Sequence, residues 1–174
     1  GDDELKEAFY AYSHLGITEQ LWDFEGKDVD NSAVRKLLTR YEVFFKKNKL
    51  GKDRFLTYRV PNPDVERKEG KVLLETLENI PRSFDVAKLF YGEEQASPIL
   101  EVDVPMITNA KTLIRIANYY KMFVAGKGNA SLFTGDQPLS AWVGDFSPKS
   151  IRVVPLIEDK DSMLNAHNIT EEFV

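Results

Sequence analysis

Cysteine is absent and histidine occurs twice, so the residues best equipped for chemistry are carboxylates and a few cations. The run Ile151–Asp161 (IRVVPLIEDKD) is apolar through Val153-Val154-Pro155-Leu156-Ile157 and then ends in adjacent acids, Glu158 and Asp159. A buried parallel strand finishing in acid at its C-terminal end is how an α/β barrel presents a metal or catalytic ligand. The same acids also suit the first turn of a following helix, whose dipole favours negative charge. Glu158, helped by a second acid such as Asp103, is a hard oxygen donor set for Mg²⁺ or Mn²⁺. Arg59 offers a planar fork to a phosphate or carboxylate, and Lys27 adds a point charge. Asp23 and Glu25 share the charged side of their strand with Lys27. Cation plus arginine is what a phosphorylated carboxylic acid needs for binding. A charged cluster of this kind is equally able to be a structural ion-pair network.

The elements that must position these groups follow from periodicity. Asp2–Leu15 places Leu5, Ala8, Phe9 and Tyr12 on one helical face. Glu19–Lys27 alternates Trp22 and Phe24 with Asp23, Glu25 and Lys27, the period of a strand. Asp30-Asn31-Ser32 offers caps for a helix to about Lys49, stopped by Leu50-Gly51. A strand is expected over Arg54–Pro61, ended by Pro61-Asn62-Pro63, and a helix over Asp64–Asn79, ended by Pro81. A short helix at Phe84–Tyr91 follows, then a strand at Pro98–Met106 with Glu101 and Asp103 opposite Leu100, Val102 and Val104. Thr108 or Asn109 caps a helix to about Ala125, and the stretch 126–150 reads as a loop-rich insertion. GKGNAS within it lacks the spacing of a phosphate-binding loop. The fourth strand is the acid-tipped run, followed by a helix over Asp161–Val174. His14 and His167 read as helix-surface residues.

Strand then helix, four times, is the pattern of a parallel sheet. The expected fold is α/β: a single domain over 1–174, a partial TIM-like (β/α) barrel of about four parallel units, roughly the first half of a (β/α)8 barrel. Charge patterning favours the barrel over an open sheet. Asp23, Glu25, Lys27, Arg59, Glu101 and Asp103 share the side of their strands that lacks large aliphatics. Helices on both faces of an open sheet would have to bury them, at several kcal/mol each if unpaired. No GxGxxG follows the first strand, which argues against a dinucleotide-binding sheet.

Composition bounds the rest. The chain has 174 residues, 43% hydrophobic and 29% charged, enough for a real core. A net charge of −5 gives no basic field for nucleic acid. No apolar run approaches a membrane span, the start GDDELKEAF has no signal-peptide character, and a cytoplasmic setting is expected. The chain opens and closes inside helical patterns, as a piece of something longer would.

Several stretches together resemble the archaeal-type phosphoenolpyruvate carboxylases: AFYAYSHLGITEQLWDFEGK (Ala8–Lys27), RVPNP (Arg59–Pro63), LLETLENIPRS (Leu73–Ser83), VPLIED (Val154–Asp159) and MLNAH (Met163–His167). The resemblance covers nearly the whole chain, least over Gly126–Ser150. It implies a TIM-like barrel enzyme that joins phosphoenolpyruvate to bicarbonate, giving oxaloacetate and phosphate, with a divalent metal and a homo-oligomeric assembly. In the family, bicarbonate attacks the phosphoryl group, and the resulting enolate captures carbon dioxide. By resemblance Glu158 is a metal ligand and Asp159 begins the next helix; Asp103 stays a second candidate ligand on its charge and strand position alone. Arg59 and Lys27 are candidate catalytic groups, and Arg59, Asp23 and Glu25 candidate substrate contacts. The family's active-site histidine, a second acidic ligand and further arginines would lie outside this chain, so the isolated chain is expected to be inactive. The alternatives are a Mg²⁺-dependent enolate lyase or aldolase on a barrel, and a non-catalytic half-barrel module.

Overall fold

A computed structural model describes residues 2–24, 32–92 and 96–174. Its elements are α1 (Asp2–Ser13), β1 (Glu19–Asp23), α2 (Ala33–Arg40), α3 (Glu42–Lys47), β2 (Phe55–Arg59), α4 (Gly70–Tyr91), β3 (Glu101–Val104), α5 (Ala110–Tyr119), α6 (Leu139–Val143), β4 (Arg152–Pro155), α7 (Lys160–Leu164) and α8 (Ala166–Phe173). The strands form one four-stranded sheet in the order β1-β2-β3-β4, parallel throughout. Each connection therefore steps one strand along in the same direction.

Register explains the two faces. Trp22, Tyr58, Val102 and Val153 pair across the sheet, and all are buried. They join a core with Leu5 of α1, Leu37 and Leu38 of α2, Leu77 of α4 and Leu113 and Ile116 of α5. Each such side chain contributes about 1.5–3 kcal/mol by leaving water. Phe24, one residue past β1, meets Tyr58 edge-on at 4.6 Å. The Tyr12 hydroxyl of α1 donates to the Phe55 carbonyl of β2 at 2.6 Å, tying the first helix to the sheet. The alternate residues, Asp23, Arg59, Asp103 and Val154, form the opposite row, and all are only half-buried.

The element boundaries differ from the sequence pattern where tertiary contacts intervene. α4 runs unbroken through Pro81, so the expected stop there is wrong. Proline removes one helical hydrogen bond. Here Leu77, Ile80 and Pro81 are all buried, and the Ser83 hydroxyl donates to the Asn79 carboxamide at 3.3 Å across the gap. The start of that helix is also later than expected. Residues 63–65 form a turn and Arg67–Glu69 a 3₁₀ turn, which leaves Val65 exposed rather than in the core. The helix expected to run to Lys49 breaks at Tyr41, whose ring stacks on Phe9 at 3.7 Å between centroids. Gly51 does not cap it. With φ +93°, Gly51 makes a tight turn where a Cβ would collide with the Ser97 carbonyl. The last helix breaks at Asn165 into α7 and α8. After α5 the chain widens into a π-helical turn, Tyr120–Ala125, and then tightens into a 3₁₀ turn, Gly126–Asn129. Among the described residues no helix is long and apolar enough to cross a membrane.

Two measurements check this packing. Leu77→Ala is expected to lower unfolding free energy by about 2–5 kcal/mol, read from urea titration, because Leu77 is fully buried. β1 and β4 each pair on one side only among the described residues. Unpaired edges template association, so the isolated 174-residue chain is expected to self-associate. A monodisperse monomer by light scattering at high concentration contradicts that.

Candidate functional site

The half-buried row of the sheet carries charge at two levels. At the C-terminal level, Asp23, Arg59 and Asp103 are register partners on β1, β2 and β3. Arg59 Nε donates to Asp23 Oδ1 at 3.2 Å, and Nη2 donates to Asp23 Oδ2. This two-pronged pair fixes the guanidinium plane along the end of the sheet. Burial raises the pKa of Asp103 above the usual carboxylate range, and the Glu101 and Glu19 charges add to it. The Arg59 charge pulls the other way without overcoming them. Asp23 thus serves Arg59 as counter-ion, while Asp103 carries a disfavoured charge on the other side.

The N-terminal level is paired internally. The Thr57 hydroxyl donates to Glu19, and Arg152 meets Glu101 at 3.3 Å. A cavity of about 200 Å³ opens there, lined by Glu19, Phe55, Thr57, Leu100, Glu101 and Arg152. Parallel α/β sheets bind ligands beyond the carboxyl ends of their strands. The cavity is therefore at the wrong end for the chemistry, and its charges serve the fold.

The loops beyond the carboxyl ends bring in the remaining groups. Glu158 lies three residues past β4 and is exposed. The Met106 N–H, in the loop after β3, donates to Glu158 Oε1 at 3.3 Å. Asp159 has a different task. Its Oδ1 accepts the Ser162 N–H at 2.8 Å and caps α7, and hydrogen bonds from the Ser162 hydroxyl and backbone lower its pKa. The two adjacent acids thus part: Asp159 begins the helix, as the resemblance implies, and Glu158 meets the Met106 N–H. Asn109, not Thr108, caps α5 through the Thr112 N–H.

Arg59, Asp23 and Asp103 are thus brought together, with Glu158 on a neighbouring loop. Asp103 pairs in register with Val154, and Glu158 follows Val154 by four residues, so the two candidate metal ligands stand at different levels. Among the described residues no three His, Asp or Glu side chains gather into a metal-holding cluster. Mg²⁺ typically needs only one or two carboxylates, with water and substrate oxygens completing six. An exposed Glu158, steered by one N–H, fits that donor requirement. Glu25 and Lys27 lie outside the described residues. His14 sits at the opposite end of the sheet, after α1, where Ser13 Oγ and His14 Nδ1 are 2.7 Å apart, and His167 is exposed on α8. Pattern reasoning missed Asn62 and Met106. Asn62 lies between two prolines and reads as turn punctuation, yet it is 3% exposed.

The whole chain, residues 1–174, matches the family model described as phosphoenolpyruvate carboxylase. It is 53% identical over 174 residues to the phosphoenolpyruvate carboxylase of Methanothermobacter thermautotrophicus, covering 100% of this chain and 36% of that protein. It is 53% identical to that of Halobacterium salinarum, covering 99% of this chain, and 50% identical to that of Pyrococcus furiosus, covering 100%. In both of these it again spans 36% of the relative's length.

The raised pKa of Asp103 has a pH signature. Between the unfolded and folded pKa the native state holds more protons, so stability falls as pH rises through that interval. The penalty persists above it. Asp103→Asn is expected to remove this fall, raising the urea midpoint at pH 7 relative to the parent and flattening its dependence upward from about pH 4, the ordinary carboxylate value. A variant with a lower midpoint at pH 7 contradicts this.

Proposed function

The chain belongs to the phosphoenolpyruvate carboxylase family, and on that premise we propose that it forms part of an enzyme joining phosphoenolpyruvate and bicarbonate into oxaloacetate and phosphate. The observation that carries the site assignment is the row Asp23–Arg59–Asp103 at the carboxyl ends of the strands, with Glu158 beyond it. Since the chain spans 36% of its relatives' length, the remaining catalytic groups come from other parts of the complete enzyme. The family is a lyase of carbon fixation, and a cytoplasmic homo-oligomer is our expectation for the assembly.

The proposed architecture is the first half of a TIM-like (β/α)8 barrel. Strictly sequential parallel order supports it, because right-handed crossovers that all step one way leave every helix on one face. The charged row then faces a barrel axis, where ion pairs and water meet, instead of a second helical layer. The stretch 126–150 is a loop-rich insertion on this frame; it holds the short α6 and exposes Leu132, Phe133 and Trp142.

The residues divide the work by chemistry. A divalent cation, Mg²⁺ or Mn²⁺, supplies stabilisation of negative charge on substrate oxygens when bound. Glu158 is its proposed ligand, with Asp103 assisting. Arg59 pairs with the substrate's phosphate or carboxylate, and Asp23 holds the guanidinium in the plane that makes a two-pronged contact specific. Preset charge costs no reorganisation as negative charge grows on the substrate. Glu25 is proposed as a further substrate contact and Lys27 as a further catalytic group.

The test is oxaloacetate formation by the complete enzyme, coupled to NADH oxidation by malate dehydrogenase. Turnover should require bicarbonate and release phosphate; a keto-acid lyase requires neither. The isolated 174-residue chain should be inactive. Arg59→Lys is expected to raise KM for phosphoenolpyruvate roughly tenfold or more, because lysine loses the planar fork. Glu158→Gln is expected to lower turnover at limiting Mg²⁺ far more than at saturating Mg²⁺. Unchanged kinetics in both variants would remove these residues from the site.

A further inference from the structure

Asn62 follows β2 and is a buried amide at the end of the sheet where the site lies, 3% exposed. Its Nδ2 donates to the Pro105 carbonyl at 2.9 Å and the Met106 carbonyl at 3.2 Å. Its Oδ1 accepts the Asp64 N–H at 3.0 Å, and its own carbonyl accepts from Val65 and Glu66 at 3.1 and 2.9 Å. Asparagine supplies two donors and an acceptor on one short side chain; neither aspartate nor leucine of similar size does. Two of these five hydrogen bonds join the loop after β2 to the loop after β3, and the other three brace the β2 loop itself.

What they grip is unusual. Met106 has φ +52°, the one non-glycine residue at positive φ among the described residues. That backbone is strained for a residue with a Cβ and persists only where surroundings impose it. Asn62 imposes it from one side. From the other, the Ile107 N–H donates to the Leu156 carbonyl at 3.0 Å, and the Leu156 N–H donates to the Val104 carbonyl at 2.9 Å. The consequence of the turn is that the Met106 N–H points at Glu158 Oε1.

We infer that Asn62 is a positioning residue for Glu158: by holding the left-handed Met106 peptide it aims an N–H at one carboxylate oxygen and so orients the other for a divalent cation. Three consecutive strand-end loops are then linked as Asn62, Met106, Glu158. Without the amide the Met106 peptide relaxes to ordinary backbone, its N–H turns away, and an exposed glutamate regains its rotamers. The inference rests on the proposed ligand role of Glu158. It differs from that role in assigning a function to a residue that touches neither cation nor substrate.

The test is Mn²⁺ binding to the complete enzyme without substrate, with free Mn²⁺ counted by electron paramagnetic resonance. Asn62→Leu and Asn62→Gln are compared with the parent, each alone and combined with Glu158→Gln. Groups that orient metal ligands typically carry about 10–100-fold in affinity. Each Asn62 variant alone is expected to weaken Mn²⁺ at least tenfold, and to add less than twofold once Glu158 is Gln. Met106→Gly keeps the N–H and tolerates positive φ, so its Kd should stay within about twofold of the parent. Equal weakening with and without Glu158, or none in an Asn62 variant folded by circular dichroism, overturns the positioning role. An unchanged Kd in Glu158→Gln alone overturns the ligand reading and the inference together, and is distinguishable from both.

Discussion

A parallel strand has two sides, and in this sheet one row of side chains is covered by the core while the row opposite stays half-buried. That constraint governs the rest of the structure. The covered side takes Trp22, Tyr58, Val102 and Val153 as a continuous apolar row. The other takes Asp23, Arg59 and Asp103, which no apolar helix could bury without a cost of several kcal/mol for each unpaired charge. Because neighbours in register share a side, an acid on one strand can meet a cation on the next. The Arg59–Asp23 pair is the clearest product.

The same constraint sorts charge along the strands. Near their start, Glu19, Thr57, Glu101 and Arg152 satisfy one another and close the row as structure. Near their end the balance is incomplete, with burial and neighbouring acids opposing the charge on Asp103. An acid whose charge is disfavoured, as that of Asp103 is, is one that a ligand's positive charge would favour. Beyond the strands, backbone rather than side-chain length decides position. Asn62 fixes Met106, and Met106 meets Glu158, so the acid is located by peptide geometry two loops away.

Much of this was legible in alternation. Val102 and Val104 read as one side of a strand and Glu101 with Asp103 as the other, and the structure buries the first pair and leaves the second half-buried. The helical stripes of α1 and α5 were likewise legible, because their spacing is set by the core they face. Local breaker rules failed where packing outweighed them. Pro81 reads as a stop, but the burial of Leu77, Ile80 and Pro81 carries α4 through it. Tyr41 reads as mid-helix, but its stacking on Phe9 accompanies a break between α2 and α3. Asn62 was passed over because a residue between prolines looks like punctuation, and its five hydrogen bonds span partners up to 44 residues away.

The sequence by itself determined the strand–helix alternation and which side of each strand is charged, because these depend on spacing along the chain, and its motifs carried the family resemblance. Tertiary structure alone decided which charges meet. Pairing Asp23 with Arg59 needs β1 beside β2 in one register, and a slip of one residue would send the two to opposite faces. It also decided that Asp159 turns to the Ser162 N–H while Glu158 turns to Met106. Adjacent carboxylates are chemically near-equal in a sequence; only the direction of the N–H groups around them makes one a cap and leaves the other for a ligand.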